Sequence, residues 1–300
     1  MVPQTAELPG APVWSPGDED VLTVNVWTPG FGGGDGLRPV LVWIHGGAYT
    51  FGSSAQPDYG GAALASAGLV VVSCNYRLGL EGFGHVPGQP ANRGLLDQVA
   101  ALRWVRANIP AFGGDPRNVT VAGQSAGAGS AACLMAMDRA RGLFQRVIAH
   151  SVPHAYGTVS AAEAITERIA AAAGVGPTAG ELRSATPQAL VLAADQVASS
   201  WGADPASGAL RHNAVLFGPV VDGDVLPAAP LSLSPDPTVD LLVCHATEEW
   251  WLMHQVGSAL PVTTEENWPT RQRTWGCPPL WWPDTGSCCP MRRCPMSTSR

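Results

Sequence analysis

The chain has no lysine: all 17 of its basic residues are arginine, which together with abundant alanine, glycine and proline points to a GC-rich coding sequence. It has no apolar run long enough to span a bilayer, and its mean hydropathy is +0.08, so a soluble protein is expected. Its first residues, Met1-Val2-Pro3-Gln4, lack a basic region followed by an apolar one. No secretory leader is therefore read, and the cytoplasm is the expected compartment. Positive charge is scarce overall. A net charge of −7 and a pI near 5.4 argue against nucleic acid or anionic membranes as partners. Internal repeats are absent, and the one low-complexity piece is the loop Gly30-Phe31-Gly32-Gly33-Gly34-Asp35-Gly36.

Cysteine is sparse through most of the chain. Cys74, Cys133 and Cys244 are the only ones before residue 270. Three is an odd number, and all lie in apolar strand or helix contexts. They read as small buried hydrophobes rather than a disulfide framework. The other four, Cys277, Cys288, Cys289 and Cys294, crowd the last 24 residues, without the paired Cys-x-x-Cys spacing of a structural zinc site. Charge divides the chain at the same place. Residues 1–268 carry 12 Arg against 23 acidic residues, and residues 269–300 carry 5 Arg against 1. The tail also holds three Trp and six Pro without helical or strand periodicity. Residues 1–268 are therefore read as one domain, large enough for a substantial core, and 269–300 as an atypical tail.

What is present is an alternation of strands and helices. Strands are expected at 22–27, 40–44, 69–74, 119–121, 146–151 and 239–244. Helices are expected from about Asn92, a plausible N-cap, to Pro110, and over 161–173 and 187–197. Such alternation implies an α/β fold, a mostly parallel sheet with helices on both faces.

The most informative stretch is Phe112-Gly113-Gly114-Asp115-Pro116-Arg117-Asn118-Val119-Thr120-Val121-Ala122-Gly123-Gln124-Ser125-Ala126-Gly127. A β-branched strand runs into Gly-x-Ser-x-Gly, and small residues, Ala126 to Cys133, lead out. That is the context of a nucleophile elbow, a strand-to-helix turn so tight that its flanks tolerate almost no side chain. Ser125 is the expected catalytic nucleophile.

These residues resemble the type-B carboxylesterases, the α/β-hydrolase family that includes bacterial para-nitrobenzyl esterases, animal carboxylesterases and cholinesterases. Phe112 to Gly127 is similar to that family's serine signature. Glu19-Asp20-Val21-Leu22-Thr23-Val24-Asn25-Val26-Trp27-Thr28-Pro29 resembles its second signature, with Val21 where a cysteine is usual, so the disulfide of secreted members is not expected. Asn75-Tyr76-Arg77-Leu78-Gly79 and Gly94-Leu95-Leu96-Asp97-Gln98 match as well, and the resemblance implies a buried Arg77–Asp97 ion pair. It implies the α/β-hydrolase fold, here incomplete at both ends, since Glu19 usually pairs with an arginine in a preceding segment that this sequence lacks. It also implies a small-molecule ester as substrate, with no metal and no organic cofactor.

Acyl transfer needs oxyanion donors, an orienting acid and a base. The backbone N–H of Ala126 and, by similarity, those of Gly47 and Ala48 in His45-Gly46-Gly47-Ala48 are the expected donors; the competing reading of that loop is an ordinary turn. Tyr49 beside it is read either as lining the acyl pocket or as packed core. Chain order in this fold is Ser, acid, His. Leu241-Leu242-Val243-Cys244 is read as a buried strand followed by Glu248 and Glu249, and the family pattern selects Glu249, 124 residues past Ser125. Cys244 stands where a glycine is usual. Alternatively both carboxylates cap a helix over 250–256. Only His254 follows Glu249, too near in sequence to reach back to Ser125, so no catalytic histidine is assigned. A reading-frame shift between about residues 265 and 275 would explain both the missing base and the tail. Loss of the base costs on the order of 10⁶ in kcat in another serine hydrolase, so very slow ester hydrolysis and unpaired strand edges are expected. The alternative is a non-catalytic binding module on the same fold.

Overall fold

The structure is a computed structural model. It describes residues 3–5, 10–11, 13–15, 20–31, 36–153, 156–201, 215–232, 236–247 and 249. Glu19, Glu248, His154, His212, His254 and the tail 269–300 lie outside these. Two compact units are formed, one from 1–198 and 215–244, the other from 199–214 and 245–300.

The first unit is built on a six-stranded sheet. Its strands are β1 (Val24–Trp27), β2 (Arg38–Ile44), β3 (Val70–Cys74), β4 (Gly114–Gln124), β5 (Arg146–His150) and β8 (Asp240–Cys244), in the order β1-β3-β2-β4-β5-β8. Only β1 runs antiparallel, pairing Val24 with Cys74; the other neighbours are parallel. The two short strands β6 (Gly157–Thr158) and β7 (Val220–Val221) make a separate parallel pair. The helices are α1 (Ala62–Ser66), α2 (Gly79–Phe83), α3 (Arg93–Asn108), α4 (Ala126–Ala136), α5 (Val159–Ala172), α6 (Ala179–Leu182) and α7 (Pro187–Trp201). Among the described residues no helix is long and apolar enough to cross a membrane.

The register shows how the faces are used. Val40, Val42 and Ile44 stand beside Val70, Val72 and Cys74 on one side and Val119, Val121 and Gly123 on the other. All these side chains are buried, and a methyl placed on Gly123 would strike Gly127 and Ala128 of α4. The opposite face carries Leu41, Trp43, Val71, Thr120 and Ile148. There Gly61, at the start of α1, lies against Val71 and Trp27. Helices thus pack on both faces, but Leu41, Trp43, Thr120 and Ile148 stay only half-buried.

Three expectations need correction. The strand over 241–244 is not buried: Leu241, Leu242 and Val243 are 49%, 57% and 56% exposed, because β8 is the sheet edge and no other described strand pairs with it. For the same reason Cys244 is half-exposed, unlike Cys74 and Cys133. Asn92 precedes α3 but makes no side-chain cap. It sits at φ 53°, and its amide exchanges two 2.7 Å hydrogen bonds with the backbone of Val220. The expected Arg77–Asp97 pair is present, with Nη2 2.7 Å from Oδ1 and Nε donating to Oδ2 at 2.8 Å. The Asp97 side chain keeps 6% of its surface exposed and that of Arg77 35%.

Candidate active site

β4 is longer than its β-branched core suggested and delivers Ser125 at its carboxyl end. Ser125 adopts φ 53°, ψ −122°, a region that side chains other than glycine rarely enter and that costs about 1–3 kcal/mol. The backbone holds it there. Its N–H donates to the His150 carbonyl at 2.9 Å, and its carbonyl accepts from Gly129 N–H at 2.9 Å. A Cβ on Gly127 would lie 2.1 Å from the Ile44 carbonyl oxygen, so the helix can leave the strand this sharply only with glycine there. Ser125 is half-exposed, and among the described residues its hydroxyl makes no hydrogen bond. Ala126 opens α4, an eleven-residue helix whose amino end carries unpaired N–H groups and partial positive charge.

The glycine loop after β2 lies against this turn. A Cβ built on Gly46 would stand 2.8 Å from the Gln124 carbonyl oxygen and 3.5 Å from the Ser125 Cβ. The loop therefore touches the elbow, and a larger residue would push it away. Gly47, Ala48 and Tyr49 follow with φ of 120°, 54° and 59°. Positive φ at two successive non-glycine residues is uncommon and marks a strained turn. The Gly47 carbonyl accepts from Thr50 and Phe51 N–H at 2.9 and 3.0 Å. Tyr49 belongs to the core: it is 3% exposed, its ring lies 4.6 Å from that of Phe83, and its hydroxyl meets Ser130.

The described histidines are dispersed. His45 is fully buried, and burial lowers its pKa to about 4 against the lesser opposing effect of a hydrogen bond to Gly46. His85 Nε2 stands 3.6 Å from Glu163 Oε1, and His150 ends β5. In the second unit His245 Nδ1 lies 3.0 Å from the Ala246 carbonyl, and an exposed Glu249 Oε1 accepts from Ala246 N–H at 2.7 Å. Among the described residues no three His, Cys, Asp or Glu side chains stand close enough to share a metal ion. Sequence reasoning missed Ser151. Four of the five described non-glycine residues with positive φ are Ala48, Tyr49, Ser125 and Ser151, and all four follow the carboxyl ends of β2, β4 or β5. Ser151 (φ 56°) donates its N–H to the Cys244 carbonyl at 2.7 Å; nothing in its local sequence signalled this.

Comparison with known proteins follows the same lines. The family model described as "Carboxylesterase family" matches residues 2–272. A probable N-octanoylanthranilate hydrolase of Rhodococcus erythropolis is 50% identical over 157 residues, covering 52% of this chain and 34% of that protein. The para-nitrobenzyl esterase of Bacillus subtilis is 53% identical over 138 residues, covering 44% of this chain and 28% of its own. Among solved structures, a Geobacillus stearothermophilus carboxylesterase superposes with TM-score 0.70 at 38% identity, over 82% of this chain and 52% of that one. A para-nitrobenzyl esterase structure gives 0.75 at 34%, over 90% and 57%. The chain thus spans about a third of the curated relatives and about half of the solved ones.

Proposed function

The chain belongs to the carboxylesterase family and has its α/β-hydrolase fold, and from that premise we propose that it is a carboxylic ester hydrolase working through an acyl-enzyme on Ser125. Ser125 Oγ attacks the ester carbonyl carbon as its hydroxyl proton passes to water, and the carbonyl oxygen takes up negative charge. The N–H groups of Gly47, Ala48 and Ala126 receive that charge, and the alcohol then leaves. Water hydrolyses the resulting acyl-serine. Glu249 is the acid that would orient the family's histidine base, for which this chain has no assigned residue. The observation that carries this reading is the strained conformation of Ser125 with Gly46 pressed against it, since a pure binding module has no need of that turn.

Residues 1–268 form the hydrolase domain in this proposal, and 269–300 derive from a shifted reading frame. The chain as it stands then lacks the family's histidine and turns over slowly. Small carboxylic esters are the substrate class. The relatives' names, one an N-acyl hydrolase and one a para-nitrobenzyl esterase, make both N-acyl and O-acyl compounds reasonable first choices. Steady-state hydrolysis of p-nitrophenyl acetate tests the proposal. Slow release of p-nitrophenol, abolished by Ser125→Ala, is expected. Release at ordinary esterase rates would contradict the missing base, and release unchanged in Ser125→Ala would overturn the nucleophile.

A further inference from the structure

Three consecutive peptide units build the glycine loop, and each is held by its carbonyl. Tyr76 Oη donates to the His45 carbonyl at 2.8 Å, and the Gly47 carbonyl is held by Thr50 and Phe51. Between them the Gly46 carbonyl lies 2.8 Å from His45 Nδ1. A carbonyl oxygen only accepts, so Nδ1 carries the proton. A peptide is planar and trans, so fixing its C=O also aims its N–H the opposite way. The Gly46 carbonyl and the Gly47 N–H are two ends of one such plane.

We propose that His45 is a positioning residue for the oxyanion hole: its Nδ1–H grips the Gly46 carbonyl and so turns the Gly47 N–H toward the space above Ser125. This rests on the functional reading above and deepens it.

The surroundings of His45 fit this role. Its ring stacks on Tyr76 with centroids 4.5 Å apart and planes 23° apart. A Cβ on Gly52 would lie 2.4 Å from Nδ1 and 2.5 Å from the Gly46 oxygen, so glycine is required there for the hydrogen bond to exist. The Gln4 amide in turn clasps Gly52, accepting its N–H at 2.9 Å and donating to its carbonyl at 3.0 Å. His45 Nε2 is buried without a hydrogen-bond partner among the described residues. A side chain serving only to fill the core would not carry that unpartnered nitrogen; one kept for its Nδ1–H would. Burial also holds the ring neutral, with a pKa of about 4, and the hydrogen bond to the Gly46 carbonyl places its one proton on Nδ1.

Two measurements on the full chain test this. Nitrogen-15 NMR of the imidazoles is expected to show His45 as the neutral Nδ1–H tautomer at every pH from about 5 to 8. A ring protonated at Nε2, or one titrating near its unperturbed value, overturns the inference whatever Ser125 does. The second measurement is the rate at which a fluorophosphonate labels Ser125, where Oγ forms the bond to phosphorus, fluoride leaves and the hydroxyl proton passes to water. His45→Asn places an N–H donor near the Nδ1 position, whereas His45→Gln places it near Nε2. His45→Asn is expected to label within about threefold of wild type, and His45→Gln about ten- to hundredfold more slowly, less than or comparable to the loss of one oxyanion donor. Equal slowing in the two, at matched thermal unfolding midpoints, would show a merely structural role and overturn the inference. No labelling of Ser125 in the wild type contradicts the esterase reading instead, and the tautomer then decides the inference alone.

Discussion

At Ser125 the chain keeps a side chain where the backbone favours none. Replacing it with glycine removes about 1–3 kcal/mol of conformational strain against about 0.5–1 kcal/mol of added unfolded-state entropy. Ser125→Gly is therefore expected to be about 1 kcal/mol more stable than wild type in urea unfolding, and inert toward esters. A loss of stability would mean that the turn is not strained. His45 gives a second residue-level prediction. Its pKa falls from 6.5 to about 4 on folding, so the unfolded chain binds the proton more tightly. The stability this contributes is complete above pH 6.5 and is lost as pH falls toward 4, by about 3 kcal/mol. The difference in unfolding free energy between wild type and His45→Asn, followed from pH 7 to pH 4, is expected to shrink by that amount. The nucleophile was legible in the sequence because its signature is local: a β-branched strand, then serine between two glycines. The grip of His45 on Gly46 and the turn at Ser151 were not, because they depend on φ and on carbonyl directions that residue types do not encode.

At the scale of elements, the strands that carry the site were foreseen to within a few residues, since buried parallel strands read as unbroken apolar runs, except β4, which was read as 119–121 and runs Gly114–Gln124. The five-residue helices α1 and α2 were not foreseen. Ala62–Ser66 is alanine-rich without a cap, and Gly79–Phe83 opens and nearly closes on glycine. Tertiary contacts rather than propensity make them. Asn92 shows the opposite failure, a good N-cap residue diverted to a distant strand. Ahead of α3, the pair between Arg77 and Asp97 ties the loop after β3 to the first turns of that helix, and Asp97 also accepts the Arg77 backbone N–H at 2.9 Å. Asp97→Ala is expected to destabilise the protein by about 3 kcal/mol, near the low end for buried pairs because Arg77 keeps contact with water. Thermal unfolding measures it, and a change below about 1 kcal/mol would assign the pair the modest weight of a surface bridge.

At the scale of the whole molecule, one face of the sheet is sealed and the other is half-covered, and β8 presents Leu241, Leu242 and Val243 to water at the sheet edge. Parallel strands are ordinarily buried on both faces, so this edge is the expected site of self-association. Leu242→Lys is expected to shift stability by no more than about 0.5 kcal/mol and to reduce light scattering on concentration. A large destabilisation would show the strand to be covered in solution.

The proposed chemistry meets its most direct test in mass-spectrometric peptide mapping after exposure to p-nitrophenyl acetate, in a chain that has no lysine to compete for the acyl group. A single acetyl group on the peptide containing Ser125, absent from Ser125→Ala, is the expected result. Acetylation elsewhere at comparable rates, with none at Ser125, would contradict the account.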